Sequence, residues 1–223
     1  ACLGCLALLS QAPNESVTIR LRPAEISAIP RIMPKVIVVR PQSLNLKSEY
    51  PDTLTKIPAT LKNPVFGTLK FGVAGSEKTI IVGVDEGEFN QPPRILVDTN
   101  ANGNLTDDPP LTPYRTRYAR HDGVVLNEYT VAASIPMEYE DGTKSLLTLN
   151  IRWLDPTDVR RSGNTHPILY YANYFTTGTM TLGGHTYRIA LSDTLAKGDF
   201  RGNPVGDASG VLLLMDINGN EAF

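Results

Sequence analysis

The chain has 223 residues, 41% of them hydrophobic, which is enough for one large β domain or two small ones with a packed core and no need of disulfide staples. Lys and Arg total 21 against 23 for Asp and Glu, a formal charge of -2, so no overall field draws the chain to nucleic acid or to an anionic membrane. After the first dozen residues no apolar run reaches the roughly 18 residues that a membrane-spanning helix needs.

Residues Ala1 to Ala12 are apolar apart from Ser10 and Gln11, and Pro13 then opens a polar stretch without periodicity. Ser10 and Ala12 stand at the small-residue positions a signal peptidase requires, so 1–12 reads as the end of a signal peptide cleaved after Ala12. A buried N-terminal strand or short helix is the alternative. Cys2 and Cys5 both lie inside this leader, so their C-x-x-C spacing reads as chance, and lipoprotein cleavage before Cys5 is a minor option. The mature chain would then hold no cysteine and reside in the periplasm or outside the cell.

In 13–64 the prolines Pro23, Pro30, Pro34, Pro41, Pro51 and Pro58 prevent long helices and confine strands to sheet edges. This is an extended, proline-rich lead-in, with Val36 to Val39 its clearest strand. From Val65 to Phe223 short runs rich in Val, Ile, Thr and Tyr alternate with glycine turns, the pattern of antiparallel β structure. Thr79–Val84 and Arg94–Val97 read as buried strands. Asp122-Gly123, Asp141-Gly142 and Gly183-Gly184 supply the positive φ angles of tight hairpin turns, which predicts three hairpins. In the last of these, Tyr187, Ile189 and Leu191 alternate with Arg188 and Ala190, as in a strand with one solvated face. No window keeps a 3.6-residue apolar period. The predicted fold is therefore all-β, an antiparallel sandwich or irregular barrel built from hairpins with little helix.

The strand Arg94–Val97 runs into Asp98-Thr99-Asn100-Ala101-Asn102-Gly103-Asn104-Leu105-Thr106-Asp107-Asp108. This fits the opening of the D-x-[DN]-x-[DN]-G calcium pattern: oxygen-bearing side chains at positions one, three and five and glycine at six. A loop winding around a hard cation points alternate side chains inward. The glycine permits the bend that brings the position-seven carbonyl, that of Asn104, onto the ion. Leu105 is the apolar pin. Position twelve is Pro109 in place of a bidentate Glu and no helix flanks the loop, so this is not an EF-hand, and Asp107 or Asp108 must close the shell. With Asn at two positions the site carries few charges, and the expected dissociation constant is about 10⁻⁴ to 10⁻³ M. The same residue types also favour a metal-free Asx turn.

Two later segments echo the pattern. Asp193 to Phe200 keeps the first Asp, the glycine at six (Gly198) and an apolar residue at eight, but has Leu195 and Lys197 where ligands belong, and reads as a structural turn. Asp216-Ile217-Asn218-Gly219-Asn220-Glu221-Ala222-Phe223 keeps ligand types at Asp216, Asn218 and Asn220 but puts Glu221 at the glycine position, and the sequence stops inside the motif, as a truncated C-terminus would. Metal and turn stay equally open there.

The order of these elements, the Asp98 loop, then Gly198-Asp199-Phe200, then an apolar strand opening into Asp216, resembles a family of bacterial exported β-domain proteins that carry Asp-x-Asn-x-Asn-Gly-x-Leu-Thr-Asp-Asp loops. The resemblance spans most of 64–223. Several of those proteins precede a thioredoxin-like domain, which implies an accessory role beside a thiol-disulfide oxidoreductase. Leu195, Lys197 and Glu221 depart from the family's pattern.

No catalytic constellation stands out: His121, His166 and His185 lack metal spacing and there is no nucleophile elbow. The three histidines read as turn or loop residues, and Asp85, Glu86 and Glu88 as loop charge. Tyr170, Tyr171, Tyr174 and Phe175 form the densest aromatic group; on one continuous strand Tyr171 and Phe175 would share a face, and an exposed pair could stack on sugar or a partner. The strip Tyr114, Arg115, Arg117, Tyr118 and Arg120 is too short to outweigh the charge balance. The sequence thus predicts an exported calcium-binding, non-catalytic binding or scaffold module. Its alternatives are the accessory domain of a thioredoxin-like oxidoreductase and a carbohydrate-binding domain, with a polysaccharide or another exported protein as further partners.

Overall fold

The structure, a computed structural model, describes residues 19, 21–25, 40–86, 91–119, 123, 125–140, 142–154, 166–201 and 210–219. The leader, Val36 to Val39, His121, Glu88, and Asn220 to Phe223 lie outside the described residues. In chain order the strands are β1 Arg22–Glu25, β2 Gln42–Leu46, β3 Pro64–Phe71, β4 Lys78–Asp85, β5 Arg94–Val97 and β6 Tyr114–Ala119. They continue as β7 Val125–Glu138, β8 Lys144–Leu154, β9 His166–Ala172, β10 Tyr174–Leu182, β11 His185–Asp193 and β12 Val211–Asp216. Among the described residues every regular element is a strand, and every strand pairing is antiparallel.

The strands form three open sheets, in the orders β1-β10-β11-β12, β2-β9-β8-β7-β6 and β3-β4-β5, and none closes into a barrel. All three predicted hairpins are present. Ala119 pairs with Val125, Glu138 with Lys144 and Leu182 with His185, each across its glycine turn. At Gly183 (φ 56°) and Gly184 (φ 79°) two successive positive φ angles give the turn whose twist matches its strands. β1 and β2, both from the proline-rich part, are edge strands; Pro23 within β1 lacks an N–H and suits that place, while β2 contains no proline. Pro136 falls where β7 has outrun β6 and is itself at the sheet edge.

The inner face of β3-β4-β5 packs on the five-stranded sheet: Phe71, Ile80 and Val82 meet Ile135, Leu147 and Ile151, all fully buried, and Tyr174 of the four-stranded sheet joins the same core. Each such aliphatic side chain contributes about 1.5–3 kcal/mol by leaving water. The other face of β3-β4-β5 is also covered. Phe66, Ile81 and Leu105 form a second, smaller core under Leu54 and Ile57, so β4 is buried on both faces. Paired hydrogen bonds between Lys47 and Phe66, at 2.8 and 2.7 Å, tie the chain leaving β2 to β3.

Four sequence expectations are corrected. His166 is the first residue of β9, in register with Leu46, and not in a loop. Asp85 is buried and accepts from the Lys62 and Asn63 N–H groups at 3.0 and 3.3 Å, while Glu86 accepts from Trp153 Nε1 at 3.0 Å, so these two carboxylates hold structure instead of standing as loose charge. Ala190 is as buried as Ile189, because β11 lies between sheet neighbours with both faces covered at that level. The aromatic group is not one continuous strand. The chain breaks pairing at Asn173, whose N–H goes to Thr148 O, so Tyr174 and Phe175 are both buried while Tyr171 lies half-buried with the Arg152 guanidinium 5.4 Å from its ring centre.

Candidate metal centre

The loop after β5 begins with the Asp98 N–H bound to Ile81 O at 2.9 Å, which sets its first residue on the edge of the core. Asp98 is 1% exposed. Its Oδ2 accepts from the Gly103 N–H at 2.8 Å and its Oδ1 from the Asn102 N–H at 3.0 Å, so one carboxylate closes the turn. Asn100 Oδ1 accepts from that same Asn102 N–H at 3.0 Å, so the oxygens of positions one and three converge on one point. The ladder continues two residues at a time, with Asn102 Oδ1 accepting from Asn104 N–H and Asn104 Oδ1 from Thr106 N–H, at 2.7 and 3.0 Å. These are Asx turns in series, and each acceptor oxygen retains a further lone pair.

The closing carboxylates separate. Asp107 Oδ2 receives the side-chain amides of Asn102 and Asn104 at 2.9 and 3.1 Å, on the ligand side of the loop. Asp108 turns back to Thr99, with Oδ1 accepting from its N–H and hydroxyl at 2.7 and 2.6 Å. Its other oxygen, Oδ2, is buried with no hydrogen-bond partner. Burial pushes the Asp108 carboxyl above the ordinary carboxylate range; the Thr99 hydrogen bonds oppose this, and the nearby Asp98 and Asp107 charges add to it. Among the described residues no Lys or Arg pairs with any of the three carboxylates.

A second segment completes the site, one that sequence reading missed. Thr55 N–H, Thr55 Oγ1 and Lys56 N–H all donate to Gly103 O, at 2.8, 3.0 and 3.2 Å, and Leu105 N–H returns to Lys56 O at 3.0 Å. Leu105 is thereby pinned in the second core, at 3% exposure. Beside these contacts lies a cavity of about 420 Å³ lined by Asp52, Thr53 and Thr55 of this strap, by Asp98 and Asn102 of the loop, and by Lys78 of β4. Apart from the Thr55 hydroxyl, the hydrogen bonds between the two segments run through backbone atoms and leave little side-chain pattern to read in the sequence.

Every donor that the arrangement offers is an oxygen, the chemistry of a calcium site. No three His, Cys, Asp or Glu side chains among the described residues group around one point, so a cation here would draw on Asp98 and Asp107 together with the Asn100 and Asn102 amide oxygens and backbone carbonyls. That set has few formal charges.

The Asp193 loop repeats the backbone of the first. Position four has positive φ in both, Ala101 at 60° and Ala196 at 54°, and so does position six, Gly103 at 78° and Gly198 at 75°. Position six donates to the leading carboxylate in both, Gly198 N–H reaching Asp193 Oδ2 at 2.6 Å. At position two Thr194 directs its N–H and hydroxyl to one acceptor, Gly210 O, as Thr99 does to Asp108. The shared D-T-x-A-x-G was a sequence signal that the ligand-type pattern passed over. The difference is the interior: the Tyr174 hydroxyl, also bound by Gly198 N–H, donates to Asp193 Oδ2 at 2.6 Å. Burial raises the pKa of Asp193, and raises that of Tyr174 well above its usual value. A phenol thus serves the carboxylate in this turn, as the sequence's structural reading of Asp193 requires. Tyr174→Phe removes a hydrogen bond to a buried charged group and is expected to cost about 1.5–3 kcal/mol in chemical denaturation. In the third loop Asp216 Oδ1 accepts from Gly219 N–H at 2.9 Å, Gly219 having φ 68°; Asn218 is exposed, and Asn220 lies outside the described residues.

Compared with protein-family models, with curated proteins and with solved structures, the chain matches none.

Proposed function

We propose that the Asp98 loop binds calcium and that the chain is an exported, non-catalytic binding or scaffold module stabilised by the ion. The observation that carries this reading is Asp108 Oδ2: a buried carboxylate oxygen with no partner, beside two further carboxylates and a ladder of amide oxygens, with no Lys or Arg among the described residues paired to any of the three. A buried unpaired oxygen costs about 1–3 kcal/mol, more when charged, and a divalent ion nearby relieves both that cost and the mutual repulsion. The apolar opening of the sequence and the weak affinity expected of so few charges fit a compartment with abundant calcium.

The sign of the pH dependence follows from Asp108. Its folded pKa is raised, so between that value and the ordinary 3.8 the folded chain holds more protons than the unfolded one, and the Asp108 contribution to stability grows as pH falls through that window. Asp108→Asn is expected to remove this contribution, to make the calcium-free protein more stable at neutral pH, and to shrink the gain from calcium. Denaturation with and without chelator at several pH values reads all three. An Asp108→Asn protein that gains as much from calcium as the wild type, and is no more stable without it, would sink the reading.

A further inference from the structure

Where the three sheets meet, a half-open cleft of about 380 Å³ lies between the β7-β8 hairpin, the β3-β4 turn, β10 and the residues after the Asp193 loop. Two of the residues that line it carry hydroxyls without partners, Thr176 Oγ1, on a side chain 6% exposed, and Tyr139 Oη, each shielded from solvent as the side chain now lies. Buried hydroxyls are normally bonded, and a rotation of either side chain toward the cleft would offer its orphan hydroxyl to a ligand's polar atoms. The ligand-free repeat of the calcium turn builds one wall. Its position-seven Asp199 accepts from Ala74 N–H at 3.0 Å and grips Arg201, which reaches Ala74 O at 3.0 Å, and its position-eight Phe200 lines the cleft with its ring edge-on to Tyr174.

We propose that this cleft is a binding site for a neutral polyhydroxy ligand of one to two sugar rings. An unpartnered hydroxyl both donates and accepts, and a group that does the same, an alcohol, satisfies it better than a carboxylate or an ammonium. Charge argues likewise. Among the described residues that line the cleft, Glu140 and Asp199 accompany one cation, Arg201, whose guanidinium is already held by Asp199 at 3.1 and 3.0 Å, so an anion meets a field of its own sign. Burial, then the Asp193 and Asp199 charges, push the Tyr139 phenol up to about 12, so it remains an O–H donor throughout the physiological range. Phe200, Leu21 and Val73 offer the C–H faces of a sugar an apolar wall. The site shares no residue with the Asp98 loop and does not depend on calcium.

The test is saturation-transfer NMR and calorimetry on the full chain in chelator, with D-glucose, D-galactose and N-acetyl-D-glucosamine as probes, glucuronate as the anionic control and spermidine as the cationic one. At least one neutral sugar is expected to bind, with both controls weaker, and Thr176→Val and Tyr139→Phe are each expected to weaken binding about tenfold. Because each variant removes an unpartnered hydroxyl, each is also expected to melt about 2–4 °C higher than the wild type without ligand. Failure of every neutral sugar, preference for spermidine or glucuronate, undiminished binding by both variants, or a lower melting temperature for both variants would each overturn the proposal.

Discussion

Ten millimolar calcium is expected to raise the melting temperature of the wild-type protein by about 3–10 °C over a chelator control. A dissociation constant of about 10⁻⁴ to 10⁻³ M puts that concentration at ten to a hundred times the half-saturation point, and linkage then adds about 1.4–2.7 kcal/mol to the native state. For a chain of this size each kcal/mol moves the midpoint by about 2–4 °C. Asp98→Ala is expected to abolish the shift and also to lower stability in chelator by about 2–4 kcal/mol, because the buried Gly103 N–H and its neighbour at Asn102 lose the carboxylate that closes the turn. The two effects are separable: the loss in chelator measures the turn, and the missing increment measures the ion. Superimposable wild-type melting curves in calcium and in chelator would remove the basis of the calcium reading while leaving the turn intact.

The second large effect is expected at Gly103. It sits at φ 78°, and a Cβ there would collide with the Thr53 carbonyl oxygen of the strap. Gly123 has nearly the same backbone angle, φ 82°, with nothing within 4 Å of its hypothetical Cβ. Gly123→Ala therefore bears only the conformational cost of a left-handed residue, about 1–2 kcal/mol. Gly103→Ala adds a backbone clash that a flexible side chain cannot absorb, and is expected to cost at least 4 kcal/mol in denaturant titration. Comparable losses at the two positions would mean that the strap does not lie against the loop.

Much of the fold was legible because it is written in local chemistry. Gly123, Gly142 and Gly183-Gly184 marked the hairpins, since positive φ at a tight turn demands residues of that kind. Pro23 suited β1 to a sheet edge, since a residue without an N–H cannot serve a ladder on both sides. What stayed hidden depends on contacts far apart in the chain. β2 joins β9, and residues 51–57 cover a sheet face, through backbone hydrogen bonds that place few demands on side chains. At the site the ligand pattern singled out Asp98, Asn100 and Asn102, whose side chains share one Asx ladder. It did not separate Asp107, which joins the ladder, from Asp108, which folds back on Thr99; adjacent carboxylates differ there only in their tertiary partners. In the aromatic run 170–175 the condition of one continuous strand is not met, because Asn173 divides two sheets, and half of the group, Tyr174 and Phe175, is core.

The strap, residues 51–57, and the loop meet across a sequence separation of 48 residues. Closing so long a span is entropically costly, so the latch belongs to the late part of folding, after the sheets it bridges have formed. An ion that recognises the closed latch acts on the native side of the folding barrier. Its expected kinetic signature is slower unfolding at an unchanged folding rate, so that bound calcium would prolong the lifetime of the folded protein more than it would hasten its formation.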